Sequence, residues 1–182
     1  MIETVVESIR VNLVTQNRVV ILKEVEGERH LPIWIGDFEA QAIAMELQGL
    51  VSPRPLPYDL IKAVIGDLGA TVDRILVTDL AQDVFYARII LTLDGKTVEI
   101  DSRPSDAIAL AVRTHTPILV EESVMDRAGV SLEPDDGEQD VEQAVSATGA
   151  AEGQPVDDER LSVFRDFINT LDLDDFDRKR GS

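Results

Sequence analysis

No cysteine occurs among the 182 residues. That excludes thiol chemistry, a disulfide framework and cysteine-ligated metals, and it is compatible with a cytoplasmic protein. The only histidines, His30 and His115, lie far apart, so no helical His pair for zinc exists. Neither G-x-x-x-x-G-K-S/T nor G-x-G-x-x-G appears, so the common nucleotide-cradling loops are missing. The longest interior apolar run, AIALAV, falls far short of the roughly 20 residues that span a membrane. The opening MIETVVESIR has no basic stretch followed by an apolar block, so neither a secretory signal nor a membrane partner is expected.

Basic residues are scarce as well: 17 Lys and Arg against 35 Asp and Glu, a net charge of −18. The excess is uneven. Residues 1–120 hold 11 basic and 17 acidic side chains, and residues 121–182 hold 6 and 18. Neither part has the electrostatic footprint of a tight nucleic-acid binder, and a free polyanion is repelled unless local arginines or a metal ion intervene.

What is present reads as one α+β domain with an acidic extension. Branched aliphatics alternate with polar residues over 3–13, a more buried strand follows at 18–25, and HLPIWIG (30–36) returns as a third, giving an antiparallel meander. Pro32 suggests an edge or an irregularity in the third strand. Asp37 is the expected N-cap of a helix over 38–49, whose Ala40, Ala42 and Ala44 allow another backbone close. SPRPLP (52–57) cannot be helical. A second helix, ending at Gly69, carries Leu60, Ile61, Val64, Ile65 and Leu68 on one stripe.

Three strands follow at 70–80, 83–93 and 96–101, with Asp94-Gly95 as a hairpin turn between the last two. Then come the helix of DSRPSDAIALAVR (101–113), a short strand at 117–120 and a helical piece, ESVMDRAG. The order of elements predicts a compact mixed or antiparallel sheet with three main helices over residues 1–130. Residues 131–157 contain no lysine, arginine or aromatic residue and are expected to form a disordered acidic linker. Beyond it, 158–178 carries Leu161, Phe164, Phe167, Ile168 and Leu171 on one helical stripe, the pattern of a short amphipathic helix that docks onto this domain or onto a protein partner.

Chemistry is concentrated in DSRPSD. Pro104 suits a helix's first turn, and Ser105 or Asp106 can cap it, each worth about 1 kcal/mol. Asp101 and Arg103 have no such role and form either a structural ion pair or part of a site. The same mixture recurs at Asp37 and Glu39, and again at Arg54, Tyr58, Asp59 and Lys62. Three helix N-termini decorated this way could converge on one cleft. There, arginine forks suit phosphate, and grouped carboxylates suit a hard divalent cation that activates water.

Taken together, LPIWIGDFEAQAIAMELQG, RPLPYDLIKAVIGDLGA, FYARIIL and EIDSRPSDAIALAVRTHTPI resemble the bifunctional nuclease domain family, in the family's order and spacing from about Met1 to Val124. The resemblance implies a compact α+β domain that self-associates as a homodimer and cleaves RNA and DNA. It carries the family's polar positions onto Glu39, Arg54, Asp59, Asp101, Arg103, Ser105 and Asp106. One departure is Tyr58, where many members have histidine; a phenol with an ordinary pKa near ~10 cannot replace a general base at neutral pH.

The expected activity is metal-assisted phosphodiester hydrolysis. Asp101, Asp106 and Glu39 would be ligands for Mg²⁺ or Mn²⁺, with Asp59 and Arg103 completing the catalytic set. Arg54, Arg103, Ser105 and Lys62 would bind the nucleic acid. The alternatives are a non-catalytic dimeric interaction module, which the net charge favours, and a binder of small anionic ligands.

Overall fold

The computed structural model describes residues 1–11 and 17–131. The expected linker (apart from Ser131) and the 158–178 helix lie outside the described residues. Twelve elements follow in order: β1 (Ile2–Val11), β2 (Arg18–Glu24), β3 (Arg29–Ile35), α1 (Asp37–Leu47), α2 (Pro57–Asp67), β4 (Ala70–Ala81), β5 (Val84–Leu93), β6 (Lys96–Ser102), α3 (Pro104–Thr114), β7 (Ile118–Val120), α4 (Glu122–Ala128) and β8 (Val130–Ser131). The class is α+β, as the pattern of elements predicted.

The strands form one eight-stranded sheet in the order β6-β5-β4-β7-β1-β2-β3-β8. β1–β2–β3 is the expected antiparallel meander, and β4–β5–β6 is a second one. β7 joins them, antiparallel to β1 and parallel to β4, after the α3 crossover that a parallel pair requires. β8 covers β3 only at Arg29 and His30, so Pro32 faces no strand on that side. Asp94 and Gly95 both take positive φ, as a two-residue hairpin turn demands. Gln82 and Asp83 do the same between β4 and β5, in a turn without the glycine that would have announced it.

α3 explains the AIALA run. Ala107, Ile108, Ala109, Leu110 and Ala111 are each at most 1% exposed, because this helix is enclosed by β4 and β5 on one side and by α1 and α2 on the other. A helix buried all round is apolar all round. Buried Ala40 and Ala42 let α1 approach it closely, as expected.

Two local expectations differ from the structure. Gly36, not Asp37, is the N-cap of α1; Asp37 is the first helical residue and pairs with Arg18. The α2 stripe does not face the core. Leu60, Ile61, Val64 and Leu68 are exposed, and only Tyr58 and Ile65 face inward. The inner positions next to α3 are filled instead by a polar arrangement that includes Tyr58 and Asp59.

Candidate functional site

The N-terminal turns of α1, α2 and α3 meet. Each carries an acid at its third helical position: Glu39, Asp59 and Asp106. The centre of the meeting point is Arg103, the N-cap of α3, which leaves β6 in extended geometry before Pro104 starts the helix. Its Nε donates to Asp106 Oδ2 at 2.7 Å and its Nη2 to Asp106 Oδ1 at 3.0 Å, a bidentate pair. Nη2 also donates to Glu39 Oε1 at 2.8 Å. The Arg103 side chain is 66% exposed, and Nη1 has no hydrogen-bond partner among the described residues. The result is an anchored guanidinium with one edge turned to solvent. Asp106 and then Glu39 raise its pKa further, so it is always charged.

Tyr58 completes the cluster. Its hydroxyl donates to Asp106 Oδ1 at 2.8 Å. Burial, and then the Asp106 hydrogen bond, push its phenol well above the usual value, so Tyr58 is a donor and not a base at neutral pH. Gly36 shapes the other wall. A Cβ there would lie 2.3 Å from Glu39 Oε2, so the glycine leaves the space that the carboxylate occupies.

Behind the cluster lies Arg113, which sequence reasoning missed. It is 2% exposed. Its Nε donates to Asp59 Oδ1 at 2.7 Å, Nη1 to the Ala109 carbonyl at 2.8 Å and Nη2 to the Ala42 carbonyl at 3.1 Å. Its guanidinium carbon lies 5.4 Å from the Tyr58 ring centroid, within cation–π range. The one available signal was an arginine closing the apolar AIALAV run, a position that must pair if it is buried. Asp59 Oδ2 also accepts the Leu56 amide at 2.8 Å, half of a capping box. Burial acts to raise the Asp59 pKa, but the Leu56 amide and Arg113 outweigh it and hold the carboxyl below its ordinary value. Lys62 donates to the Arg113 carbonyl at 2.5 Å.

Glu39, Arg103, Asp106 and Tyr58 are thus one cluster, while Asp59 and Lys62 belong to the adjoining Arg113 arrangement. Asp101 joins neither. It pairs in register with Arg88 at the exposed edge strand β6, on the strand side opposite Ile100, and shares no partner with Arg103. Arg88 reaches Glu99 instead, at 2.5 Å. Arg54 is exposed in the loop before α2 and has no ion pair among the described residues. Ser105 is buried, and no side-chain cap bond forms at α3.

Among the described residues no three His, Asp, Glu or Cys side chains are grouped to hold a metal, so Glu39, Asp101 and Asp106 do not form a three-carboxylate cage. The donor set that does converge is Glu39 and Asp106, two hard carboxylates on one cationic group. Two is a number that Mg²⁺ commonly takes from protein when water and phosphate oxygens complete its shell, and Glu39 Oε2 is the oxygen of this pair without a hydrogen-bond donor among the described residues. Also among the described residues, no helix is long and apolar enough to cross a membrane.

Comparison with known proteins covers this region of the chain. Residues 20–133 match the family model described as the bifunctional nuclease domain. An uncharacterized protein of Mycobacterium tuberculosis is 38% identical over 174 residues, covering 96% of this chain and 97% of its own length. Bifunctional nuclease 2 of Oryza sativa subsp. japonica is 30% identical over 123 residues, 65% of this chain and 38% of that protein. Bifunctional nuclease 1 of the same plant is 28% identical over 117 residues, 62% of this chain and 35% of that protein. The family match takes in all three helix N-termini and the Arg103 cluster between them, and on that match the chain belongs to the bifunctional nuclease domain family.

Proposed function

We propose that this protein hydrolyses phosphodiester bonds of RNA or DNA at the Arg103 cluster. The observation that carries the reading is Arg103 itself: a guanidinium fixed by two carboxylates, with a free edge exposed where three helix N-termini meet. Arg103, with exposed Arg54 from the neighbouring loop, would bind the phosphate. Asp106, oriented by Tyr58 and Arg103, and Glu39 would hold Mg²⁺ or Mn²⁺ and accept a proton from attacking water. A metal bound there would polarise the phosphate and make a coordinated water more acidic.

The test is cleavage of labelled single-stranded RNA and double-stranded DNA with Mg²⁺, with Mn²⁺ and with EDTA. Metal-dependent cleavage is expected. Arg103→Ala should lose about 10²-fold or more, by analogy with removing a charge-stabilising donor. Asp101→Asn should retain activity, since its carboxylate shares no partner with the cluster. Cleavage unaffected by Arg103→Ala would remove this site from consideration.

A second reading, a homodimeric interaction module without catalysis, is favoured by the net charge of −18. It predicts self-association by light scattering, with no cleavage under any of the three conditions.

A further inference from the structure

Among the described residues, the α2 face is the one large apolar surface arranged as a helical stripe. Leu60 is 59% exposed, Ile61 42%, Val64 47% and Leu68 71%, at spacings of one, four and eight from the first. The exposed apolar residues at α1, Phe38 and Leu47, lie at opposite ends of that helix and form no such stripe. A contiguous apolar stripe on a surface helix marks a place where something packs.

We infer that the occupant is this chain's own C-terminal stretch, seated by Leu161, Phe164, Phe167, Ile168 and Leu171 along the outer face of α2. The inference does not depend on the nuclease reading. Two stripes of similar length with the same 3.6-residue period are complementary as a helix pair.

The reach is adequate. The described chain ends at β8, five strand positions from β4, against which α2 packs; five spacings are about 24 Å along the sheet. From Ser131 to Leu161 the chain has roughly 30 residues, and a polar chain of that length spans about 30 Å on average. A tether whose mean span matches the separation gives close to the largest effective concentration.

Acidic side chains flank the stripe on both sides, Asp157, Asp158 and Glu159 before it and Asp172, Asp174, Asp175 and Asp177 after it, so the direction of the seat is left to the experiment. The mycobacterial relative supports a shared role for the segment, because the match over 96% of this chain runs well beyond the domain end at 133.

The absence of cysteine makes the test direct. A spin label is attached to full-length Ser162→Cys, and amide signals are compared before and after reduction of the label in dilute solution. The expected result is several-fold loss of α2 amide intensity, greatest at one end of the stripe, with no loss on the outer turns of α1. Leu60→Lys with Val64→Lys, both on solvent-facing positions, should abolish the effect while leaving the remaining spectrum unchanged. Absence of broadening on α2, or broadening that persists in that variant, overturns the proposal. Equal broadening in a mixture of isotope-labelled and spin-labelled molecules would assign the face to a second copy and overturn it as well.

Discussion

Tyr58 donates its hydroxyl to Asp106 Oδ1 at 2.8 Å, and so ties the first turn of α2 to the first turn of α3. The same carboxylate receives Arg103 in a bidentate pair. Asp106 is therefore held from two sides, by a neutral donor that burial keeps protonated and by a permanent cation. Tyr58, where the family resemblance implies a histidine, is the residue that holds this carboxylate from the α2 side.

Tyr58→Phe keeps the ring beside Arg113 and deletes only the hydroxyl. A stability loss of about 1 kcal/mol is expected, since water can replace the donor at partly exposed Asp106. Chemical denaturation measures it. If Asp106 works in cleavage, the same variant lowers kcat more than it raises KM. Tyr58→His places a group with a pKa near ~6.5 beside Asp106, and a new ascending limb around neutral pH should appear in its rate profile.

Arg113→Met removes a buried cation that satisfies two carbonyl oxygens and Asp59. Asp59 is partly exposed and can rehydrate, and the Ala109 and Ala42 carbonyls keep their helical amide donors, so the loss comes mainly from the buried side-chain hydrogen bonds and imperfect packing. About 3 kcal/mol is expected from thermal or denaturant unfolding. Arg113→Lys should recover only part of it, because an ammonium cannot reproduce the planar fork.

Gly36→Ala is allowed by its backbone, which is extended with negative φ, yet the added methyl occupies the place of Glu39 Oε2. The carboxylate end is flexible, so stability should change by less than about 1 kcal/mol. Glu39 should nevertheless leave Arg103. Cleavage that falls with an unchanged melting temperature is the expected signature.

Acid should destabilise the fold through two carboxyls. Arg29 holds the Glu24 carboxyl below its ordinary range; for Asp59, burial opposes the shift but the Leu56 amide and Arg113 prevail. A carboxyl with a depressed folded pKa stabilises fully above its unfolded value, near ~4, and that contribution disappears as pH falls toward the folded value. The melting temperature should therefore be nearly level from pH 7 to 5 and drop below about 4. Asp59→Asn should show a shallower drop.

Most elements were legible because they rest on local rules. Alternation marked β1 to β6, Asp94-Gly95 marked its hairpin, and Pro104 marked the start of α3. The Gln82-Asp83 turn was not announced, since no glycine signals its two positive φ angles. Glu39, Arg103 and Asp106 were recognisable as candidates from their mixture of charge at helix starts. Asp101, two residues from Arg103, looked equally eligible. Strand alternation sets it opposite Ile100 at the sheet edge, away from the helix termini.

Residue chemistry and spacing alone settled the α+β class, because periodicity and turn residues act within a few positions of the chain. Partnership is a different matter. Whether Arg103 meets Glu39, 64 positions away, whether Arg113 is buried against Asp59, and which way the α2 stripe faces all depend on how α1 and α2 pack against α3. Side-chain pairing across elements is a property of distance in space, and only the packed fold brings those atoms within 3 Å.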